Sequence, residues 1–379
     1  MRKTKENQKG ITLVALVITI IVLLILAGIS ISALTNTGIF QKAQEAKKKS
    51  AEAEANQKAT LDEYETELNK YTSLADMFDE TGEVEGKIHV GDYVEYIPDT
   101  ASTDGILDEL ETYSGSSSNT AETLKQEMEL KWRVLDVEDG QVRLISATPT
   151  TSTIALQGAK GYNNAVYLLD KACKTLYNNS KLASNVQNIK IEDIQDSLIY
   201  DYTQYTNSYG IKYGKTIKNS DNKNYPNLFT REKNGTIDGI QGRELELSEQ
   251  TQPINEESTT ANESIEITQT YWEKTMSKND FKKTKYYELF LDYGNSNSTI
   301  YWIASRVVNV PSNYADFSIS VVMQKIIYLT SLYNSTGSGY PSEYAFRPII
   351  TLKSNVKIDE NNTGNGSTPE KAYTIKLAE

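Results

Sequence analysis

The stretch from Gly10 to Leu34, GITLVALVITIIVLLILAGISISAL, holds no charged residue over 25 positions. As a helix rising 1.5 Å per residue it would measure roughly 37 Å, against about 30 Å for the hydrocarbon core of a bilayer. A buried strand of the same Val, Ile and Leu content would stop after about four to eight residues. The run therefore reads as one transmembrane helix over residues 11–34, and it fixes the expected fold. That fold is α+β: a long N-terminal transmembrane and stalk α-helix, followed by a mixed, strand-rich extracellular domain with few short helices.

The flanks set the orientation. Arg2, Lys3, Lys5 and Lys9 are opposed only by Glu6, so the short leader is net positive and is expected in the cytoplasm. The localisation expected is thus a single-pass protein of the cell membrane, with its C-terminal domain outside. A secretory signal peptide also begins with basic residues, and the segment Ala27–Ala33 offers the small residues of a cleavage site. The apolar part of such a peptide is shorter, about 7 to 15 residues.

At the boundary, Lys9-Gly10-Ile11-Thr12-Leu13-Val14 resembles the class III leader of type IV pilins and pseudopilins. The resemblance implies a leader over residues 1–10, cleavage by a prepilin peptidase between Gly10 and Ile11, and N-methylation of Ile11. It also implies other pilin-like subunits as partners through the N-terminal helix, with the lipid bilayer as its surroundings before assembly. Pilins usually carry a glutamate at the fifth mature position, where this chain has Ala15. A carboxylate at membrane depth is normally kept for a partner, so Ala15 fits a minor or tip subunit better than the repeating one.

Residues 35–80 are expected to continue as an amphipathic stalk helix. Strong helix formers dominate from Phe40 onward, and Leu61, Tyr64, Leu68, Tyr71 and Leu74 recur at three and four residues as one narrow apolar face. The alternative is a helix that only spaces the outer domain from the bilayer.

The outer domain is expected over residues 84–379. Residues 87–97 alternate and stop at Pro98, which reads as a first strand. Two runs, 132–137 and 141–146, flank Glu138-Asp139-Gly140 as a hairpin. A helix is expected from Asn163 or Asn164 to about Asn178, with Val166, Leu169, Ala172, Cys173, Leu176 and Tyr177 on one face, and a short one near Ile191–Ile194. Two polar excursions are expected: 99–130, acidic and containing Ser, Thr and Gly, reads as an insertion or long surface loop, and 232–268 holds too few apolar residues for a core and reads as a loop excursion. Trp132, Cys173, Trp302 and Phe346 are the expected core residues, and Arg306 and Arg347 are read as structurally paired. Trp302 and the Arg347-Pro348 strand resemble the ending of a domain on pilin-like surface proteins of Gram-positive bacteria, which is distantly similar to C-type-lectin-like modules.

The chemistry points away from catalysis. One histidine, His89, and one cysteine, Cys173, exclude a His-based triad partner set, a multi-histidine metal site and an intrachain disulfide. No nucleophile elbow or phosphate-binding loop occurs, so no enzyme, cofactor, metal or catalytic residue is expected. The net charge is −12, and −15 once residues 1–10 are removed, which disfavours nucleic acid. The 25 tyrosines suit a recognition surface for an extracellular glycan or protein ligand. Three roles remain: a pilus subunit, a surface adhesin outside any filament, and a pseudopilin of a type II-like secretion system.

Overall fold

The computed structural model describes residues 18–22, 39–69, 72–199, 211–234, 240, 242–272, 274–293, 299–310, 313–359, 361 and 364–378. The chain divides into two compact units between Leu68 and Asn69. In the first, helix α1 spans Ile39–Asn69. Its Ala, Glu, Lys and Gln residues are strong helix formers. Between Glu45 and Thr60, Ala53 is the only residue that is even half-buried.

The expected long transmembrane and stalk helix under an α+β domain is corrected here. Among the described residues no helix is long and apolar enough to cross a membrane. Of the charge-free run only Ile18–Val22 is described, as helix, while Gly10, Ile11 and Ala15 lie outside the described residues. The helix expected to run to residue 80 ends at Asn69, because the chain beyond it is captured by the second unit. Leu74, expected on the stalk face with Leu61, Tyr64 and Leu68, is instead 1% exposed in that unit's core, and its N–H donates to Val356 O at 2.8 Å. Ser73 and Asp76 close the turn, with Ser73 Oγ donating to Asp76 Oδ2 at 2.7 Å. Tyr71 lies outside the described residues. The described chain is a mixed α/β protein, rich in strands.

Among the described residues the second unit holds five sheets, of which the two largest, of seven and six strands, hold thirteen strands between them. The strands in chain order are β1 Tyr93–Glu95, β2 Trp132–Glu138, β3 Gln141–Ser146, β4 Thr153–Gln157, β5 Ala183–Asn188, β6 Lys274–Thr275 and β7 Tyr301–Asn309. They continue with β8 Asp316–Met323, β9 Ile326–Asn334, β10 Pro341–Ala345, β11 Pro348–Leu352, β12 Val356–Ile358 and β13 Tyr373–Leu377. The seven-stranded sheet has the order β12-β13-β1-β2-β3-β11-β5, and the six-stranded sheet β6-β9-β8-β7-β10-β4. The β2–β3 hairpin turns on Asp139 and Gly140, with φ of 49° and 72°, the paired positive values that a two-residue type I′ turn requires. The first strand is shorter than its alternating sequence. His89 N–H donates to Asp92 Oδ2 at 2.8 Å and Gly91 has φ +90°, so residues 89–92 turn before pairing begins.

Helix α3, Gly158–Tyr177, is preceded by α2, Asp104–Tyr113, and followed by α4, Ile191–Gln195, and α5, Thr284–Phe290. Helix α3 touches strands of both large sheets. Gly161 permits this closeness on one side, since a Cβ there would sit 2.6 Å from Ser114 O, just past the end of α2.

Several strands are buried on both faces, and successive side chains feed different cores. Val134, Leu144, Trp302 and Ile350 enter the core around α3. Their neighbours Leu135, Ile145, Ile303 and Ile349 enter a second core with α4 and α5. Trp132, Cys173 and Phe346 lie in the first core, each at most 1% exposed.

Both stretches expected as surface excursions are corrected. Residues 99–130 contain α2, whose Ile106 and Leu110 are fully buried against α3. Residues 232–268 bury Ile240, Leu247, Ile254, Ala261, Ile265 and Ile267. Neither needs a core of its own, because each covers one that α3 already centres.

Candidate functional site

Helix α3 carries polar side chains on faces that the apolar core does not use, and residues 227–257 are folded around them. Asn164 Nδ2 donates to Ile254 O at 2.9 Å while its Oδ1 accepts from Ile254 N at 2.7 Å. Asn163 Nδ2 donates to Glu256 O at 2.6 Å. The amide side chains thus act as a substitute strand partner, which is how so polar a segment is held against a buried helix.

Beside them on the helix, the Tyr162 hydroxyl donates to Glu232, and Arg306 pairs with the same carboxylate at 2.9 Å from Nε and 2.8 Å from Nη2. Both charged side chains are fully buried. The guanidinium lies between the rings of Phe229 and Tyr162, at 3.7 and 4.1 Å from their centroids. Burial drives the Tyr162 hydroxyl well above its ordinary pKa. This arrangement leaves no room for a substrate and is a structural clasp between α3, β7 and the 227–232 turn. Arg347, also fully buried, has a different solution. It donates to Ser146 O at 2.9 Å, to Ala147 O at 3.3 Å and to Leu289 O, with Tyr293 and Tyr301 beside it.

The second half of α3 opens on solvent. There a cleft of about 730 Å³ is bounded by α3, β5 and residues 245–252. Asp170 sits at its base, accepting from Asn188 N at 2.9 Å and facing Lys190 Nζ at 3.4 Å. Lys190 in turn donates to Ser248 O at 2.5 Å, tying the 245–252 wall to the helix. Burial pushes the Asp170 carboxyl up to about 6, against the opposing pull of Lys190 and the Asn188 N–H. Nearby Asp193 is likewise raised to about 6 by burial, although Arg143 pairs with it at 2.7 Å.

Cys173, one turn along from Asp170, is buried with its thiol pushed well up by burial. A thiol held protonated is a poor nucleophile. His89 lies elsewhere, 3.6 Å from both Asp79 and Asp92 and hydrogen-bonded to Val84 O at 3.0 Å. A second groove, about 560 Å³, runs beside Tyr93–Ile97 and Met128–Trp132.

Most of the tyrosines whose side chains are described pack inward. Among those whose side chains are described, nine are buried and only Tyr328 and Tyr340 are exposed. They fill the core with their rings, as in the edge-to-face contacts of Trp132 with Tyr96 and Tyr177.

Asp170, Lys190 and Glu232 are not among the residues expected from the sequence. A signal existed for the first: Asp170 stands four residues after Val166 and three before Cys173, a lone carboxylate at the margin of the apolar face. For Glu232 and Arg306, 74 positions apart, local spacing carried none. No family model, no curated protein and no solved structure matches this chain.

Proposed function

We propose that this chain is a pilin-like subunit, processed after Gly10, that presents the unit Asn69–Glu379 at the cell surface as a non-catalytic binding and assembly module. The observation that carries the reading is the Lys9-Gly10-Ile11 junction placed directly ahead of a 25-residue charge-free run. Helix α1 adds support, because its side chains from Glu45 to Thr60 are almost all exposed and leave a surface available to neighbouring subunits. The partners that follow are a prepilin peptidase and other pilin-like chains. Intact-mass measurement on protein from cells with an active prepilin peptidase tests the proposal. The expected species lacks residues 1–10 and carries a methyl group on Ile11, and recovery of the full-length chain contradicts it.

Ala15 favours a minor or tip position in the filament, and it is also the feature that supports a surface binding module outside any filament. Immunogold labelling of sheared filaments separates the two, with sparse or terminal label expected and an absence of label on filaments favouring the second.

A further inference from the structure

The cleft beside α3 has a composition that selects among ligand classes. Only Tyr167, Val186 and Leu245 among its lining residues are apolar, too few for a lipid or an aromatic small molecule. An added peptide strand does not fit either. The outward N–H of Asn188 on β5 is already taken by Asp170, and Val186, whose backbone faces the same edge, is 2% exposed.

What the walls do present is hydrogen-bonding capacity of both signs, from the amides of Asn185, Gln187 and Gln252, together with cationic charge from α3. Lys174 is exposed and has no ion-pair partner among the described residues, while Lys171 lies 4.0 Å from Glu109 Oε1 with 43% of its side chain exposed. Asp170 and Lys190 neutralise one another at the base. Glu249 also lines the cleft, so three lysines face two carboxylates, a local excess of positive charge on a chain of net charge −12.

We infer that this cleft binds an anionic oligosaccharide, with sugar hydroxyls held by the amides of Asn185, Gln187 and Gln252 and sugar carboxylates held by Lys171 and Lys174. A polyhydroxylated chain uses donors and acceptors on every residue, which matches walls that offer both. Its acidic groups match the two lysines, one helical turn apart on α3. The inference stands apart from leader processing, which the mass measurement tests by itself.

The test uses the full chain, immobilised, with oligogalacturonate as the probe, a neutral glucan oligosaccharide and poly-L-glutamate as comparisons, and Lys171→Glu/Lys174→Glu as the variant. Both substitutions lie on the outer face of α3, and an unchanged melting midpoint checks that the fold is kept. Saturable binding to oligogalacturonate is expected, weakened about tenfold or more by the double substitution and by raising the salt. The neutral oligosaccharide should bind more weakly by a similar factor, and polyglutamate should not saturate the site. Absence of oligogalacturonate binding, binding indifferent to the double substitution, or polyglutamate bound as tightly would each overturn the inference.

Discussion

Helix α1 runs for 31 residues with nearly every described side chain in solvent, whereas α3, at 20 residues, buries fourteen of them. The first is held by what its residues prefer. The second contains Gly158, Gly161, Tyr162, Asn163, Asn164 and Val166, all weaker helix formers than those filling α1, and is held by what surrounds it. A buried helix with polar residues imposes demands on distant segments. Asn163, Asn164 and Tyr162 each need a partner, and residues 227–257 supply them. The exposed stretch of α1 from Glu45 to Thr60 imposes no such demand.

Breaking the clasp around α3 should have the largest effect. Glu232→Ala leaves the Arg306 charge buried without its counter-ion and is expected to cost about 3–5 kcal/mol in urea unfolding. The double replacement Glu232→Leu/Arg306→Met, apolar on both sides, should recover part of that loss, with the Tyr162 hydroxyl and the Phe229 N–H still left without their acceptor. A single and a double variant of equal stability would show that the pair is not the clasp described.

Acid should act on α3's surroundings with an intermediate effect. Asp170 and Asp193 titrate near pH 6 when folded, and a free aspartate titrates near 4. Between those values the folded state binds more protons, so stability falls as the pH rises through the window and levels off above about 6. Asp79, Asp99 and Asp359 are shifted the other way, and their contribution is lost only at lower pH. The urea midpoint should therefore be higher at pH 5 than at pH 7. Asp170→Asn should flatten part of that difference and stabilise the chain at pH 7 by about 1–2 kcal/mol. An Asp170→Asn variant with the parent's full pH dependence would contradict the assignment.

The smallest effect belongs to α1. Ala55→Gly removes about 1 kcal/mol of local helix preference and should lower the helical circular dichroism signal. It should leave the unfolding midpoint of the second unit where it was. A shift of that midpoint would mean that the two helices are energetically coupled.

What could be read from the sequence follows the same division. The hairpin was legible because Asp139-Gly140 fixes a two-residue turn locally, and the apolar face of α3 because Val166, Leu169, Cys173 and Leu176 repeat at helical spacing. The start of α3 at Gly158 and the burial of its polar face were not. They depend on Ile254, Glu256 and Glu232, which lie 70 or more positions away. The polar stretches were misread for a related reason. A segment too poor in apolar residues to make a core can still bury a few of them against one, as Ile106, Leu110 and Ile254 do. Composition counts such residues without showing what they meet. The cleft was invisible for the same cause, since Asp170, Lys190 and Ser248 converge only after α3, β5 and residues 245–252 have packed.

Helix α3 is expected to centre one cooperative unit that does not draw its stability from α1. Amide hydrogen exchange on the dispersed full chain, followed segment by segment at pH 7, tests it directly. Amides of α3 from Ala165 to Leu176 should exchange only through global unfolding, with the same dependence on urea as the β2–β3 hairpin, and those of α1 from Glu45 to Thr60 should exchange orders of magnitude faster. Protection in α1 equal to that in α3, or exchange of α3 through a local opening well below the global unfolding free energy, would contradict it.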